Sequence, residues 1–172
     1  MMDNDNVQVR LRAMEPEDLE LLYQIENNDE AWNVGVSNVP YSKYVLRDYI
    51  ASSRNDIYED GQVRLLIDNA DGITVGVLDL VNFDPRSQRA ELGIIILKAH
   101  RGKGYGQSAI TKILDHSRKV LHLRQVYAYI DTDNKDSIRC LASVGFRETA
   151  QLKDWFFVQG EFKDAVVMQF FL

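Results

Sequence analysis

Cysteine is almost absent from this sequence: Cys140 is the single one among 172 residues. A lone thiol excludes an internal disulfide and a cysteine-built zinc cage, and both exclusions suit a reducing, cytoplasmic setting. Histidine is also scarce. His100, His116 and His122 fall at spacings that make no zinc motif, so no metal is expected and surface roles are. No apolar run approaches the ~20 residues of a membrane-spanning helix. Residues 1–6 are polar and acidic and carry neither the basic nor the apolar stretch of a secretory leader. A basic excess is missing too: Lys and Arg number 20 against 26 Asp and Glu, a formal net charge of −6. That disfavours phosphate-backbone binding, so nucleic acid is not an expected partner, and it mildly favours cationic small molecules.

What is present is a globular composition. Hydrophobic residues make up 45% of the chain, enough for a sizeable core. The length fits one domain, on a prior of roughly 100–200 residues per domain. No repeat or linker interrupts residues 1–172, which are expected to form a single domain. Residues 7–14 alternate, with Val7, Val9 and Leu11 opposite Gln8, Arg10 and Arg12, which is strand periodicity. Glu15-Pro16-Glu17-Asp18 reads as a helix start, with proline in the first turn and acids near the positive end of the dipole. Residues 41–52 read as a second helix, and the polar segment before it as a loop. Three strands at 63–67, 73–83 and 89–97, joined by short turns, read as an antiparallel meander. Residues 104–121 place Ile110, Ile113, Leu114 and Leu121 at helical spacing. A strand at 126–130, a helix at 134–144 closed by Gly145, and strands at 155–158 and 162–171 complete the chain.

The stretch His100-Arg101-Gly102-Lys103-Gly104-Tyr105-Gly106-Gln107 lies between a strongly apolar strand and an amphipathic helix. Alternating glycines let backbone N–H groups approach an anion, the helix adds its N-terminal dipole, and Arg101 and Lys103 add charge. A phosphate or pyrophosphate is the expected guest. Walker A requires serine or threonine after the lysine, and Gly104 stands there. The dinucleotide fingerprint needs another third-glycine spacing and a strand–helix–strand unit around it.

This loop and its surroundings resemble the GNAT superfamily of acetyl-CoA-dependent N-acetyltransferases. That family's cofactor motif runs Arg or Gln, two residues, Gly, one residue, Gly or Ala, and residues 101–106 fit it throughout. Residues 90–97 resemble the family's central strand. Asn134, Ser137, Ile138 and Gly145-Phe146 resemble its second cofactor motif. Within the superfamily the chain looks nearest to the spermidine and the ribosomal-protein N-terminal acetyltransferases. Relatives of the spermidine enzymes tend to carry acids before the proline of 36–41, whereas Asn38 and Val39 precede Pro40 here.

The resemblance implies a single-domain α/β (α+β) fold. Its twisted sheet of about seven mostly antiparallel strands is flanked by about four helices and splayed between the central two strands. It also implies that the backbone of Ile94, Ile95 and Ile96 holds the pantetheine arm of acetyl-CoA. The amides of Arg101, Gly102, Lys103, Gly104, Tyr105, Gly106 and Gln107 hold its pyrophosphate, and Asn134 contacts the far side of the arm. The acceptor is a primary amine, on a small molecule or a peptide N-terminus, and a homo-oligomer is allowed.

An alkyl ammonium, pKa about 10, must lose a proton before it attacks a thioester. Glu91 interrupts an apolar strand and is the candidate base; the alternatives are an ion pair with Arg89, or Asp79 as base. Strand N–H groups near Ile94 are candidate oxyanion donors. Many relatives carry a general-acid tyrosine seven residues after the asparagine. Leu141 stands there, which leaves Tyr105, Tyr127 or Tyr129 as donors, unaided thiolate departure, or a CoA-binding module without turnover. Cys140 reads as a core residue. Trp32, Tyr41, Tyr44 and Tyr49 are candidate linings of an acceptor pocket.

Overall fold

The computed structural model describes residues 7–28 and 39–172. In chain order the elements are β1 (Arg10–Arg12), a 3-10 turn (Pro16–Asp18), α1 (Leu19–Glu26), α2 (Lys43–Ser52), α3 (Ile57–Asp60), β2 (Val63–Asp68) and β3 (Thr74–Asp84). They continue with β4 (Arg89–Ile96), a 3-10 turn (Lys98–His100), α4 (Tyr105–Lys119), β5 (Gln125–Asp131), α5 (Lys135–Ser143), β6 (Arg147–Val158) and β7 (Glu161–Phe171). The strands form one seven-stranded sheet in the order β1-β2-β3-β4-β5-β7-β6. Neighbours are antiparallel except β4 and β5, which run parallel.

Alternation along the strands divides the core between the two faces. Ala90 and Leu92 of β4, Leu78 and Leu80 of β3, and Val126, Ala128 and Ile130 of β5 pack with Ile110, Ile113 and Leu114 of α4 and with Leu141 of α5. The opposite face carries a smaller cluster, Leu66, Val77 and Ile95 against Leu22 and Ile25 of α1 and Tyr49 and Ile50 of α2. Glu91 and Gly93 alternate onto this second face with Ile95.

The β4–β5 pairing is short. It joins Arg89 to Gln125, Ala90 to Val126 and Glu91 to Tyr127, and then it ends. Beyond Glu91, β4 stays paired with β3 as far as Ile96, and β5 stays paired with β7 as far as Asp131. The sheet therefore opens into a wedge at its centre, with its vertex at Glu91 and Tyr127. Gly76 helps to set the path of β4: an added Cβ there would lie 2.3 Å from the Ile95 carbonyl oxygen.

Several elements depart from the sequence expectation. The first strand is only Arg10–Arg12, because Arg12 is drawn out of simple alternation by buried carboxylates. Its guanidinium donates to both Asp18 oxygens at 2.8 and 2.9 Å and to Asp68 Oδ2 at 2.6 Å. Asp18 thus serves the β1–β2 seam and accepts from the Glu15 N–H at 2.8 Å, beyond any effect on the helix dipole. Among the described residues a fifth helix, α3, joins the expected four; Asp56 caps it by accepting from the Tyr58 N–H at 2.9 Å, and Gly61 closes it at φ 66°. The second last strand begins at Arg147, well before residue 155. It is an edge strand, exposed along most of its length, with register breaks at 148–150 and 152–156. Period-two burial is absent, so its sequence carries no strand signal there.

Gly76→Ala is expected to cost about 3 kcal/mol, the upper end of overpacking penalties, because the obstacle is backbone and cannot rotate away. Urea denaturation reads this as a lowered midpoint at unchanged slope; an unchanged midpoint would show that β4 has room to shift.

Candidate active site

The loop after β4 holds residues 101–104 and leads into α4. Gly102 and Gly104 sit at φ 73° and 81°, the left-handed region that glycine enters without penalty. Gly104 is the residue that caps α4, so the first amides of a 15-residue helix point out of the loop. Gly106 has another task. It lies inside α4, and a Cβ there would come within 3.2 Å of Cys140 Sγ on α5. Two of the three glycines shape the loop, and the third lets the two helices close. The loop cations fold back onto the backbone: Arg101 Nε donates to the Ile96 carbonyl at 2.9 Å, and Lys103 Nζ to the Ala99 carbonyl at 3.2 Å.

The wedge edge of β4 leads to this loop. The Ile95 carbonyl is turned toward Gly76 of β3, and Leu97 N–H also bonds β3, at Val75 O, 2.9 Å. Backbone direction alternates along a strand, so Ile94 presents its N–H and C=O to the wedge and Ile96 its N–H, the Ile96 carbonyl being taken by Arg101. Of the three isoleucines expected to offer backbone to pantetheine, Ile95 is therefore the exception, because its polar groups serve the β3 ladder. All three side chains are core: Ile94 and Ile96 pack on the α4 face and Ile95 on the α1 face. Asn134 caps α5, its Oδ1 accepting from the Ser137 N–H at 3.2 Å. Its Nδ2 takes no part in the cap. Gly145, at φ 104°, ends the same helix and turns Phe146 against Phe170 at 5.5 Å between ring centroids. This half of the second motif is explained by packing.

Glu91 stands at the wedge vertex, half-buried, on the face opposite α4. Asn82 Nδ2 donates to its Oε2 at 2.7 Å. Asn82 interrupts β3 at φ 49°, inside the register break between Val81 and Asp84, and that bulge aims its amide at the carboxylate. The expected ion pair of Glu91 with Arg89 is replaced: Arg89 reaches Asp84 instead, at 3.3 Å. Asp79, the other candidate base, is committed elsewhere. Both its oxygens accept from Arg64, each at 2.8 Å, and Arg64 also pairs with Glu26 at the end of α1. Glu91 thus has a neutral partner, and Asp79 has a cation.

Tyr127, opposite Glu91, is the nearest of the three tyrosines proposed as donors. Burial raises its hydroxyl above the ordinary range, and the Glu91 charge adds to the rise, so the proton stays on at neutral pH. Tyr129 lies on the same face, its ring 5.6 Å from that of Tyr127. Tyr105 packs on the α4 side and meets His100 edge-on at 6.3 Å. Leu141 is 3% exposed and belongs to the main core. Burial also raises the Cys140 thiol, which keeps it protonated between the helices.

The aromatic acceptor lining expected near α2 is not brought together. Trp32 and Asn38 lie outside the described residues, and Tyr44 is 76% exposed. The Tyr49 ring joins the second core, and burial raises its hydroxyl. Tyr41 is held through its backbone, which exchanges two hydrogen bonds with the Asn27 side chain at 2.8 and 3.0 Å. A concavity of about 430 Å³ lies away from the wedge, lined by Arg54, Ile57, Tyr58, His116 and Val120 among others. Among the described residues no group of three or more His, Cys, Asp or Glu is placed to hold a metal ion, and no helix is long and apolar enough to cross a membrane. The sequence reading named neither Asn82, which bonds the candidate base, nor Trp155, whose ring lies 5.3 Å from that of Tyr129. A polar residue in a β-bulge opposite a candidate base would have pointed to the first; the second depends on the fold of an edge strand.

The family model described as Acetyltransferase (GNAT) domain matches residues 8–147. Spermidine N(1)-acetyltransferase of Escherichia coli (strain K12) is 29% identical over 167 residues, covering 95% of this chain and 86% of that protein. The crystal structure of spermidine N-acetyltransferase from Vibrio cholerae in complex with CoA and spermine superposes with a TM-score of 0.84 at 27% identity, over 95% of each chain. A dodecameric structure of the Vibrio cholerae enzyme in an intermediate state gives 0.80 at 27% identity, over 95% of this chain and 94% of that one.

Gly104→Val is expected to weaken CoA binding at least tenfold, since a β-branched residue resists positive φ and fills the space over the helix amides. The strain costs about 1–2 kcal/mol of stability, so calorimetric titration is run on protein shown to be folded. Unchanged affinity would remove the loop as the pyrophosphate site.

Proposed function

Because the chain belongs to the GNAT acetyltransferase family and is an acetyl-CoA-dependent N-acetyltransferase, we propose that its acceptor is a small alkyl polyamine and that Glu91 is its base. The observation that carries the site is the parting of β4 from β5. It leaves strand edge facing strand edge, with the anion loop at one end and a carboxylate at the vertex. The residues fit the cosubstrate. Two left-handed glycines and the α4 amides suit a pyrophosphate, and Ile94 and Ile96 offer the backbone groups an extended amide arm needs. Arg101, Lys103, Tyr105, Gly106 and Gln107 surround the phosphates, and Asn134 Nδ2 meets the arm from the other side.

Acetyl-CoA supplies the acetyl thioester. The acceptor ammonium gives its first proton to Glu91, directly or through water; the freed nitrogen bonds to the acetyl carbon and sheds its second proton to water, and the carbon–sulfur bond breaks with its electron pair left on sulfur. The Ile94 N–H faces the growing oxyanion. Tyr127 stands beside the base as the donor to the departing sulfur. Asn82 holds one Glu91 oxygen and leaves the other for the amine. The acidic balance of the chain and the spermidine acetyltransferases among its relatives support a cationic acceptor. The chain assembles as a homo-oligomer, a reading supported by the dodecameric relative.

Thiol release from acetyl-CoA against polyamines, aminoglycosides and peptide amino termini tests this reading. Spermidine or a similar polyamine should give the highest kcat/KM; turnover of peptides alone would replace it. Glu91→Gln should keep CoA affinity and lower turnover about 10²–10⁴-fold, the usual contribution of a positioned base. Asn82→Gly keeps the left-handed backbone and removes one bond to a charge, worth about 1.5 kcal/mol, so turnover should fall about tenfold. Normal turnover in Glu91→Gln would place the base elsewhere.

A further inference from the structure

β5 sends Tyr127, Tyr129 and Asp131 to one face, the face that carries Glu91. At the vertex Tyr127 is paired in register with Glu91. The Tyr127 and Tyr129 rings meet edge-on at 5.6 Å, and Trp155 of β6 lies over Tyr129 at 5.3 Å. Trp155 is 50% exposed and belongs to neither core cluster of the described residues. The result is a row with a carboxylate at each end, Glu91 and Asp131, the two tyrosine rings between them and Trp155 beside the second; Asp131 Oδ1 accepts from the Asp133 N–H at 2.8 Å, which leaves its Oδ2.

Hydrophobic packing of the hairpin does not account for this row. The main core lies on the other side of the sheet, and neither Trp155, Tyr127 nor Tyr129 belongs to either core cluster. Positive charge near the row is already paired. Lys153 donates to Asp164 at 2.7 Å, and Lys163 to Asp133 at 3.1 Å. An incoming cation therefore meets π faces and carboxylates, with Lys163 near Asp131 but held by Asp133 and Glu161. Ammonium groups are attracted to the faces of tryptophan and tyrosine, and more strongly where water is partly excluded.

We propose that Tyr129, Trp155 and Asp131 form a second-ammonium subsite, which holds the distal nitrogen of a linear polyamine while its terminal nitrogen reacts at Glu91. Spacing supports the assignment. Neighbouring nitrogens on a chain of three or four methylenes are about 5–6 Å apart by ordinary bond lengths, the same step as from ring to ring. The methylenes lie on the ring faces and the charges at the row's acids. The subsite rests on the polyamine reading and adds a requirement to it: two cationic groups in line, so that monoamines are poor acceptors.

The test uses full-length protein with spermidine and butylamine as probes, and two readouts. The first is the ratio of kcat/KM for spermidine over butylamine. Trp155→Leu should lower that ratio about tenfold, mainly through the KM for spermidine, and Trp155→Phe should restore most of it. Asp131→Asn should lower it by a similar factor. A ratio unchanged in both Trp155→Leu and Asp131→Asn, or equal losses for both amines, overturns the subsite. The second readout is calorimetric titration of spermidine into the protein–CoA complex, which needs no turnover. If spermidine is not acetylated yet binds with a dependence on Trp155, the subsite stands and the polyamine-acetylation reading falls. If it is acetylated with no such dependence, the subsite falls alone. If it neither binds nor reacts, both fall.

Discussion

A parallel strand pair that stops after three residues is the constraint on which the rest of this molecule depends. β4 and β5 hold together at residues 89–91 and 125–127, and then each follows its other neighbour. Unpaired backbone groups at the centre of a sheet are costly unless a partner takes them up. Here the two free edges face each other across a wedge, which suits a ligand that itself carries amides. The loop and helix that follow β4 lie at the far end of one edge, and Glu91 lies where the edges meet. The candidate base and the glycine loop are thus two ends of one strand.

Charge is placed on the second face of the sheet with some economy. Arg64 is half-buried between Asp79 and Glu26 and ties β2 and β3 to the end of α1. A carboxylate held at both oxygens by a guanidinium is poorly suited to accept a proton, because protonation would leave that cation unpaired. Among the described residues Glu91 accepts from a neutral amide, which orients it and leaves no guanidinium bound to it. Two carboxylates on adjacent strands of one face therefore have different capacities, set by their donors. The same face carries Tyr127 and Tyr129, so the polar chemistry gathers opposite the large α4–α5 core.

The glycines divide along similar lines. Gly102 and Gly104 adopt backbone that other residues enter with strain, Gly106 is small because Cys140 presses on it, and Gly145 meets both demands, with positive φ and Phe170 against it. Asn134 likewise caps α5 with one end of its amide. Residues that a motif presents as ligand contacts are in part the residues that make the helices fit together. One short pattern can serve both ends, because the helices must approach closely to bring their N-terminal amides to the wedge.

Legible in the sequence itself were the order of most elements, the glycine loop at residues 101–106 between a strand and a helix, and Glu91 as an interruption in an apolar strand, while the single seven-stranded sheet came with the family resemblance. The first three are local matters: periodicity, turn chemistry and helix ends are written in neighbouring residues. It did not reveal most of β6, whose residues 147–154 show no alternation because neither face of an edge strand is deeply buried. Nor did it reveal α3, which is a single capped turn too short for helical periodicity. Only the tertiary structure decided that Asp79 is bound to Arg64, that Glu91 answers to Asn82 and not to Arg89, and that Ile95 turns its backbone away from the wedge. Only the fold, too, brought Trp155 onto Tyr129. Each of these depends on which residue of one strand lies opposite which residue of another, and register between distant segments is set by how the whole sheet packs.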